Sequence, residues 1–142
     1  MSVPDFISFS ECLLGLPWQA PLPPLNALDP DLANFYMTQL VSSGTSLDAV
    51  LNAWTSIRNQ NLPPAQQAAL VQSQIISNSS LAPAAQQIIL AWYTGFHPWF
   101  GGPPIPDPAR YEQTLVWLLA QAHPMGVPLS FGYWQYAPGG AA

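Results

Sequence analysis

Lysine is missing from this chain, and arginine occurs only twice, at Arg58 and Arg110. With so little positive charge there is no basic footprint for nucleic acid or for an anionic lipid surface. Acids are scarce too. Charged residues make up 6 % of the 142 residues, with a formal net charge of −5, where ordinary globular chains carry about 25 %. One cysteine, Cys12, excludes an internal disulfide, and a buried, unreactive thiol is the expected state of such a residue. No apolar run approaches the roughly 18 residues that a membrane-spanning helix needs. The opening Met-Ser-Val-Pro-Asp-Phe has neither a charged n-region nor an apolar h-region, so it does not read as a secretory signal. Either the protein is cytoplasmic or a leader has been removed.

The same scarcity rules against most catalytic sets. A serine hydrolase needs a histidine base, and only His97 and His123 are available, each followed directly by proline. No Gly-x-Ser-x-Gly elbow occurs. Two histidines and one cysteine, without ligand spacing, do not make a zinc site. Of the seven acids, Asp5, Asp29, Asp48 and Asp107 stand at helix starts and Asp31 in a first turn, which leaves Glu11 and Glu112 as ordinary helix residues. Gly101-Gly102 runs into two prolines rather than into a helix, so it is no phosphate loop. No catalytic, cofactor-binding or metal-ligating residue is assigned in this chain.

What the chain has in quantity is apolar and aromatic residues: 49 % hydrophobic, with six Trp, five Tyr and six Phe, alongside 17 prolines. That supports one packed domain over residues 1–142. The apolar spacing predicts helices, not strands. The first covers Asp5 to Leu14, capped by Asp5, with Phe6, Phe9, Leu13 and Leu14 on one face. Four prolines between residues 17 and 28 make an extended connector, read as an arm covering the domain. Asp29-Pro30-Asp31 starts the second helix, with Leu32, Phe35, Tyr36, Leu40 and Val41 apolar and Gly44 closing it. Thr45 and Asp48 resemble a capping box for the third, whose stripe is Leu47, Val50, Leu51, Trp54 and Ile57. The fourth runs from Pro64 to Ser77. The fifth begins at Pro83, carries Ile88, Ile89, Trp92 and Tyr93, and stops at Gly95. The sixth spans Ala109 to about Ala122, with Tyr111, Leu115 and Trp117 apolar. The expected fold is therefore all-α, a bundle of five to six helices with Pro-rich connectors and an extended aromatic C-terminal tail.

Two aromatic groups fall outside these helices. Phe96, Trp99 and Phe100 follow the end of helix five on a loop that ends Gly-Gly-Pro-Pro. Phe131, Tyr133, Trp134 and Tyr136 crowd the tail among glycines and prolines. Tyr and Trp anchor interfaces, and a surface this poor in charge keeps a free monomer badly dissolved. Both groups are expected to meet a partner protein.

Several stretches carry a resemblance. They are Phe6-Ile-Ser-Phe-Ser with Leu13-Leu-Gly, Leu28-Asp-Pro-Asp-Leu-Ala, Ala91-Trp-Tyr-Thr-Gly, Tyr111-Glu-Gln-Thr-Leu-Val-Trp, and Pro128-Leu-Ser-Phe-Gly-Tyr-Trp. In this order and spacing the chain resembles the small subunits of bacterial FAD-dependent sugar and polyol dehydrogenases, the sorbitol dehydrogenase-like family that includes gluconate, fructose and glucose dehydrogenase small subunits. The resemblance implies a non-catalytic subunit that binds, stabilises and escorts a large flavoprotein of the glucose-methanol-choline type. FAD, and in some members an iron–sulfur cluster, would belong to that partner. A cytochrome c subunit completes such complexes at the membrane. Members usually carry a twin-arginine leader, so the resemblance implies a periplasmic mature protein. Relatives often place a cysteine where this chain has Ser130-Phe131-Gly132. A disulfide to the partner from that position is therefore not available here. The alternatives are a free-standing helical protein holding a small ligand in an aromatic pocket, or a transient export chaperone.

Overall fold

The computed structural model describes residues 2–15, 28–95 and 114–115. The described residues are helical and contain no strand. Five α-helices occur among them: α1 (Val3–Leu14), α2 (Pro30–Ser42), α3 (Leu47–Arg58), α4 (Pro64–Val71) and α5 (Ala82–Thr94), with a π turn (Gln72–Ile76) following α4. The all-α expectation holds. The predicted sixth helix, the connector of residues 17–27 and the aromatic tail lie outside the described residues, apart from Thr114 and Leu115.

Capping chemistry explains most of the boundaries, and it corrects two expected ones. Helix α1 begins at Val3, not Asp5. Ser2 is its N-cap, and its hydroxyl oxygen accepts from Asp5 N–H at 3.2 Å. Pro4 in the first turn costs nothing there, because its missing N–H would have no intrahelical acceptor. Asp5 thus stands inside the first turn, where its carboxylate faces the positive end of the helix dipole. Helix α2 starts as its sequence predicts: Asp29 Oδ1 accepts from Leu32 N–H at 2.8 Å, with Pro30 at the first helical position.

The end of α2 decides the second correction. Gly44 takes a left-handed φ of 82°. Its N–H reaches Val41 O, and Thr45 N–H reaches Leu40 O, both at 3.0 Å. This reciprocal pair satisfies two carbonyls that the helix end would otherwise leave unmatched. Thr45 is therefore consumed in closing α2. Its hydroxyl lies 3.2 Å from that of Ser43, and Ser46 takes the cap position of α3 without a side-chain bond. The expected Thr45–Asp48 capping box does not form, because four residues between two helices leave no spare residue to serve both.

The expected fourth helix, Pro64 to Ser77, is also not one regular α-helix. Its second half widens into the π turn. Ser77 N–H donates to Gln72 O, five residues back, at 3.0 Å, and Ser77 Oγ donates to the same carbonyl at 2.9 Å. Helix α5 ends as expected, at Gly95 with a φ of 59° and its N–H on Ala91 O at 2.9 Å.

Helix α1 is the hub, packing against each of α2, α3, α4 and α5. Trp92 from α5 sits at the centre of the core. It stacks at 6.4 Å from Phe6 and meets the Tyr36 ring edge-on at 5.0 Å. Phe9 and Trp54 form a second pair at 5.7 Å. The apolar stripe of α3 is buried as predicted, at Leu47, Val50, Leu51, Trp54 and Ile57. Leu28 and Leu115 join the same cluster, so the residues just before α2 and one position of the predicted sixth helix pack on the bundle. Of the expected core aromatics, Trp92 is buried and Tyr93 is half-buried, while Tyr111 and Trp117 lie outside the described residues.

Candidate functional site

The described surface has few large apolar side chains on it: Val41 and Leu90 are the exposed ones. The helices bury their apolar stripes against one another and turn Gln, Asn, Ser and Ala outward. The described bundle therefore lacks a broad apolar patch of the kind that marks an interface. The seven aromatic residues expected to meet a partner, Phe96, Trp99, Phe100, Phe131, Tyr133, Trp134 and Tyr136, all lie outside the described residues.

One groove does collect polar side chains. It lies between α1, α3 and α4 and encloses about 450 Å³. Ser8, Glu11 and Cys12 line it from α1, Trp54 and Arg58 from α3, and Gln67 from α4. Sequence reading did not pick out this set, because the residues come from three helices and share no local pattern. Only the one-turn spacing of Ser8 and Cys12, and of Trp54 and Arg58, gave any hint.

Along its wall runs a network that ties the first turn of α1 to the last turn of α3. Arg58 Nη1 reaches Asp5 Oδ1 at 2.7 Å and Ser8 Oγ at 3.3 Å. Trp54 Nε1 donates to Ser8 Oγ at 2.9 Å. Ser2 Oγ donates to Asp5 Oδ2. The hydrogen bonds from Ser2 and then Arg58 hold the Asp5 carboxyl below its ordinary range. Burial pushes the half-buried Cys12 thiol up, which keeps it protonated and a poor nucleophile. Cys12, expected to be buried, is half-buried, and the direction of the shift agrees with an unreactive thiol.

The groove's chemistry is modest. Trp54 is only 3 % exposed, and its indole N–H is spent on Ser8, so it offers no open face on which a sugar ring could stack. Arg58 is already neutralised by Asp5. Neither a nucleophile–base pair nor a group of metal-ligating side chains occurs among the described residues. The network's evident role is to fasten α1 onto α3.

That role predicts a pH dependence. The folded pKa of Asp5 is depressed, so the pair's contribution is complete above the unfolded-state pKa and is lost as pH falls through the folded one. The Asp5→Asn variant should therefore melt below the parent protein at neutral pH, and the gap should begin to narrow below about pH 4 and close only in stronger acid. Thermal unfolding of both proteins across acid pH checks this. A gap that persisted unchanged into strong acid would remove Asp5 ionisation as its cause.

The sequence profile of the family described as membrane-bound FAD-containing D-sorbitol dehydrogenase matches residues 3–123. The chain belongs to this family. No curated protein and no solved structure matches it. The D-sorbitol dehydrogenase family match covers all the described residues except Ser2, and it agrees with the small-subunit resemblance in the sequence. Within the matched range fall Phe96, Trp99 and Phe100. The tail aromatics Phe131, Tyr133, Trp134 and Tyr136 fall beyond it. The family's description implies a membrane-bound dehydrogenase complex that contains FAD. No helix among the described residues is long and apolar enough to cross a membrane.

Proposed function

We propose that this chain is a non-catalytic small subunit that binds, stabilises and escorts the FAD-carrying catalytic subunit of a membrane-associated sugar or polyol dehydrogenase. The observation that carries this reading is membership in an FAD-dehydrogenase family by a chain whose described residues form a helical bundle. Dinucleotides of this kind are typically held at the crevice of a parallel βαβ sheet. A helical bundle instead suits a subunit that lends surface to a flavoprotein. The partner is a large subunit of the glucose-methanol-choline type, which holds the FAD and, in some complexes, an iron–sulfur cluster, with a cytochrome c subunit as the membrane-side member and the periplasm as the location. Binding only to the folded partner stabilises it by mass action, by RT ln(1 + [subunit]/Kd).

The docking surface is the loop carrying Phe96, Trp99 and Phe100 together with Phe131, Tyr133, Trp134 and Tyr136. The described bundle supports this choice indirectly, since it has already buried its own apolar stripes. Trp134→Ala should weaken the complex by more than about 1 kcal/mol, as expected for an aromatic anchor. Affinity purification of the tagged protein from its native host tests the whole reading. A co-purifying large protein with flavin absorbance and sugar-dependent dye reduction is the expected result, and a smaller recovered amount with Trp134→Ala would assign the anchor. A colourless protein recovered alone at monomer mass would overturn the subunit role.

A further inference from the structure

Residues 59–95 contain no acidic or basic side chain, so one new charge there would change the character of a whole surface. One asparagine is arranged to supply it. Asn78 lies between the π turn and α5 and is followed by Ser79 and Ser80, all three exposed. Its side chain folds forward along its own chain, with Ser80 N–H donating to Asn78 Oδ1 at 2.9 Å. That hydrogen bond draws electron density off the carboxamide carbon, which lies one residue from the Ser79 peptide nitrogen. The neighbouring amides are committed. Asn78 N–H reaches Ile75 O, while Leu81 and Ala82 N–H both reach Asn78 O, at 3.0 and 2.8 Å. Ser79 N–H has no acceptor among the described residues.

We propose that Asn78 is a site of self-catalysed deamidation through a ring closed with Ser79. Base removes the Ser79 amide proton, the nitrogen attacks Asn78 Cγ, and the Cγ–Nδ2 bond breaks with loss of ammonia, giving a succinimide. Water then opens either ring C–N bond. One opening leaves aspartate at position 78, and the other leaves isoaspartate, whose backbone is longer by one methylene. No electrons are transferred, and water is the sole co-reactant. Both products carry one negative charge that the asparagine lacks. The isoaspartate form also displaces the carbonyl on which the first N–H groups leading into α5 rest.

The fold makes this site selective. Asn34 and Asn52 lie within α2 and α3, where the following N–H is held in the helix ladder. Asn59 is followed by Gln60, whose N–H is bound to Ile57 O at 3.1 Å. Asn61 is followed by Leu62, whose larger side chain crowds ring closure. Serine after Asn78 is small, and its amide has no acceptor among the described residues.

Incubating the purified full chain at body temperature, at neutral and at mildly alkaline pH, and then mapping peptides by mass tests the proposal. The expected result is a gain of about one mass unit at Asn78 before any other asparagine of the described residues, faster at the higher pH. Ser79→Ile should slow it at least about tenfold, because a β-branched side chain hinders the closing nitrogen. Asn78→Gln should abolish the early gain in the corresponding peptide. An unchanged mass at Asn78 in the folded protein, a gain appearing there only in denaturant, or an unchanged rate with Ser79→Ile would each overturn the proposal.

Discussion

Trp92→Ala should lower the unfolding free energy by about 3–5 kcal/mol, the range for removing a large ring from a packed core. Domains of this size have only about 5–15 kcal/mol to lose, so the variant should be close to unfolded at physiological temperature. The reasoning starts from position. Trp92 is 2 % exposed and sits on α5, where it touches Phe6 of α1 and Tyr36 of α2. Removing it leaves three helices facing the space that the indole filled. Trp92→Phe is the informative partner variant. The buried Trp92 indole N–H has no hydrogen-bond acceptor among the described residues, and an unmet buried donor costs about 1–3 kcal/mol. Phenylalanine would keep a ring against Phe6 and Tyr36 while deleting that cost, so its penalty should be well under half that of alanine. Urea unfolding followed by far-ultraviolet circular dichroism gives both numbers. A Trp92→Ala loss of less than about 1 kcal/mol would mean that the three helices close over the gap, and that Trp92 does not hold them apart.

The core was legible because its signals are local and repeated. The stripe Leu47, Val50, Leu51, Trp54 and Ile57 recurs at helical spacing, and all five are buried. Proline inside a start and glycine past an end marked α2 and α5 for the same reason: each residue type is permitted there by backbone sterics alone. Three features were hidden. The α1 start depended on Ser2, whose hydroxyl caps the helix by accepting the Asp5 N–H three residues on. Thr45 has the right type for a cap and sits one residue before Ser46, but closing α2 uses it first. The groove, with its Asp5–Arg58 pair, joins side chains 53 residues apart, counting from 5 to 58. No periodicity reports a contact of that separation. The aromatic interface set is a different case. Its composition, not its spacing, marked it, and composition says that a surface binds without saying how it is shaped.

The widened turn after α4 leads to the second large effect. Nothing in Gln72-Ser73-Gln74-Ile75-Ile76 breaks a helix; there is no proline or glycine. The extra residue in the turn is therefore held either by packing or by the turn's own hydrogen bonds. Ile75 is fully buried and Val71, the last residue of α4, is 4 % exposed, so both ends of the bulge are fastened to the core. The bulge has its own hydrogen bonds, from Ser77 N–H and Oγ to Gln72 O. If packing dominates, Ile75→Ala should cost about 2–5 kcal/mol, while Ser77→Ala, which deletes only the exposed hydroxyl bond, should cost under about 1 kcal/mol. The two should also differ in reach. Ile75→Ala weakens the contact of the π turn with α3 and α5, so amide exchange should quicken across residues 64–82 relative to α1 and α2. Ser77→Ala should quicken it at the turn alone. Equal costs for the two variants would assign the bulge to its local hydrogen bonds, and the segment would then be expected to keep its π geometry even when the core beneath it is loosened.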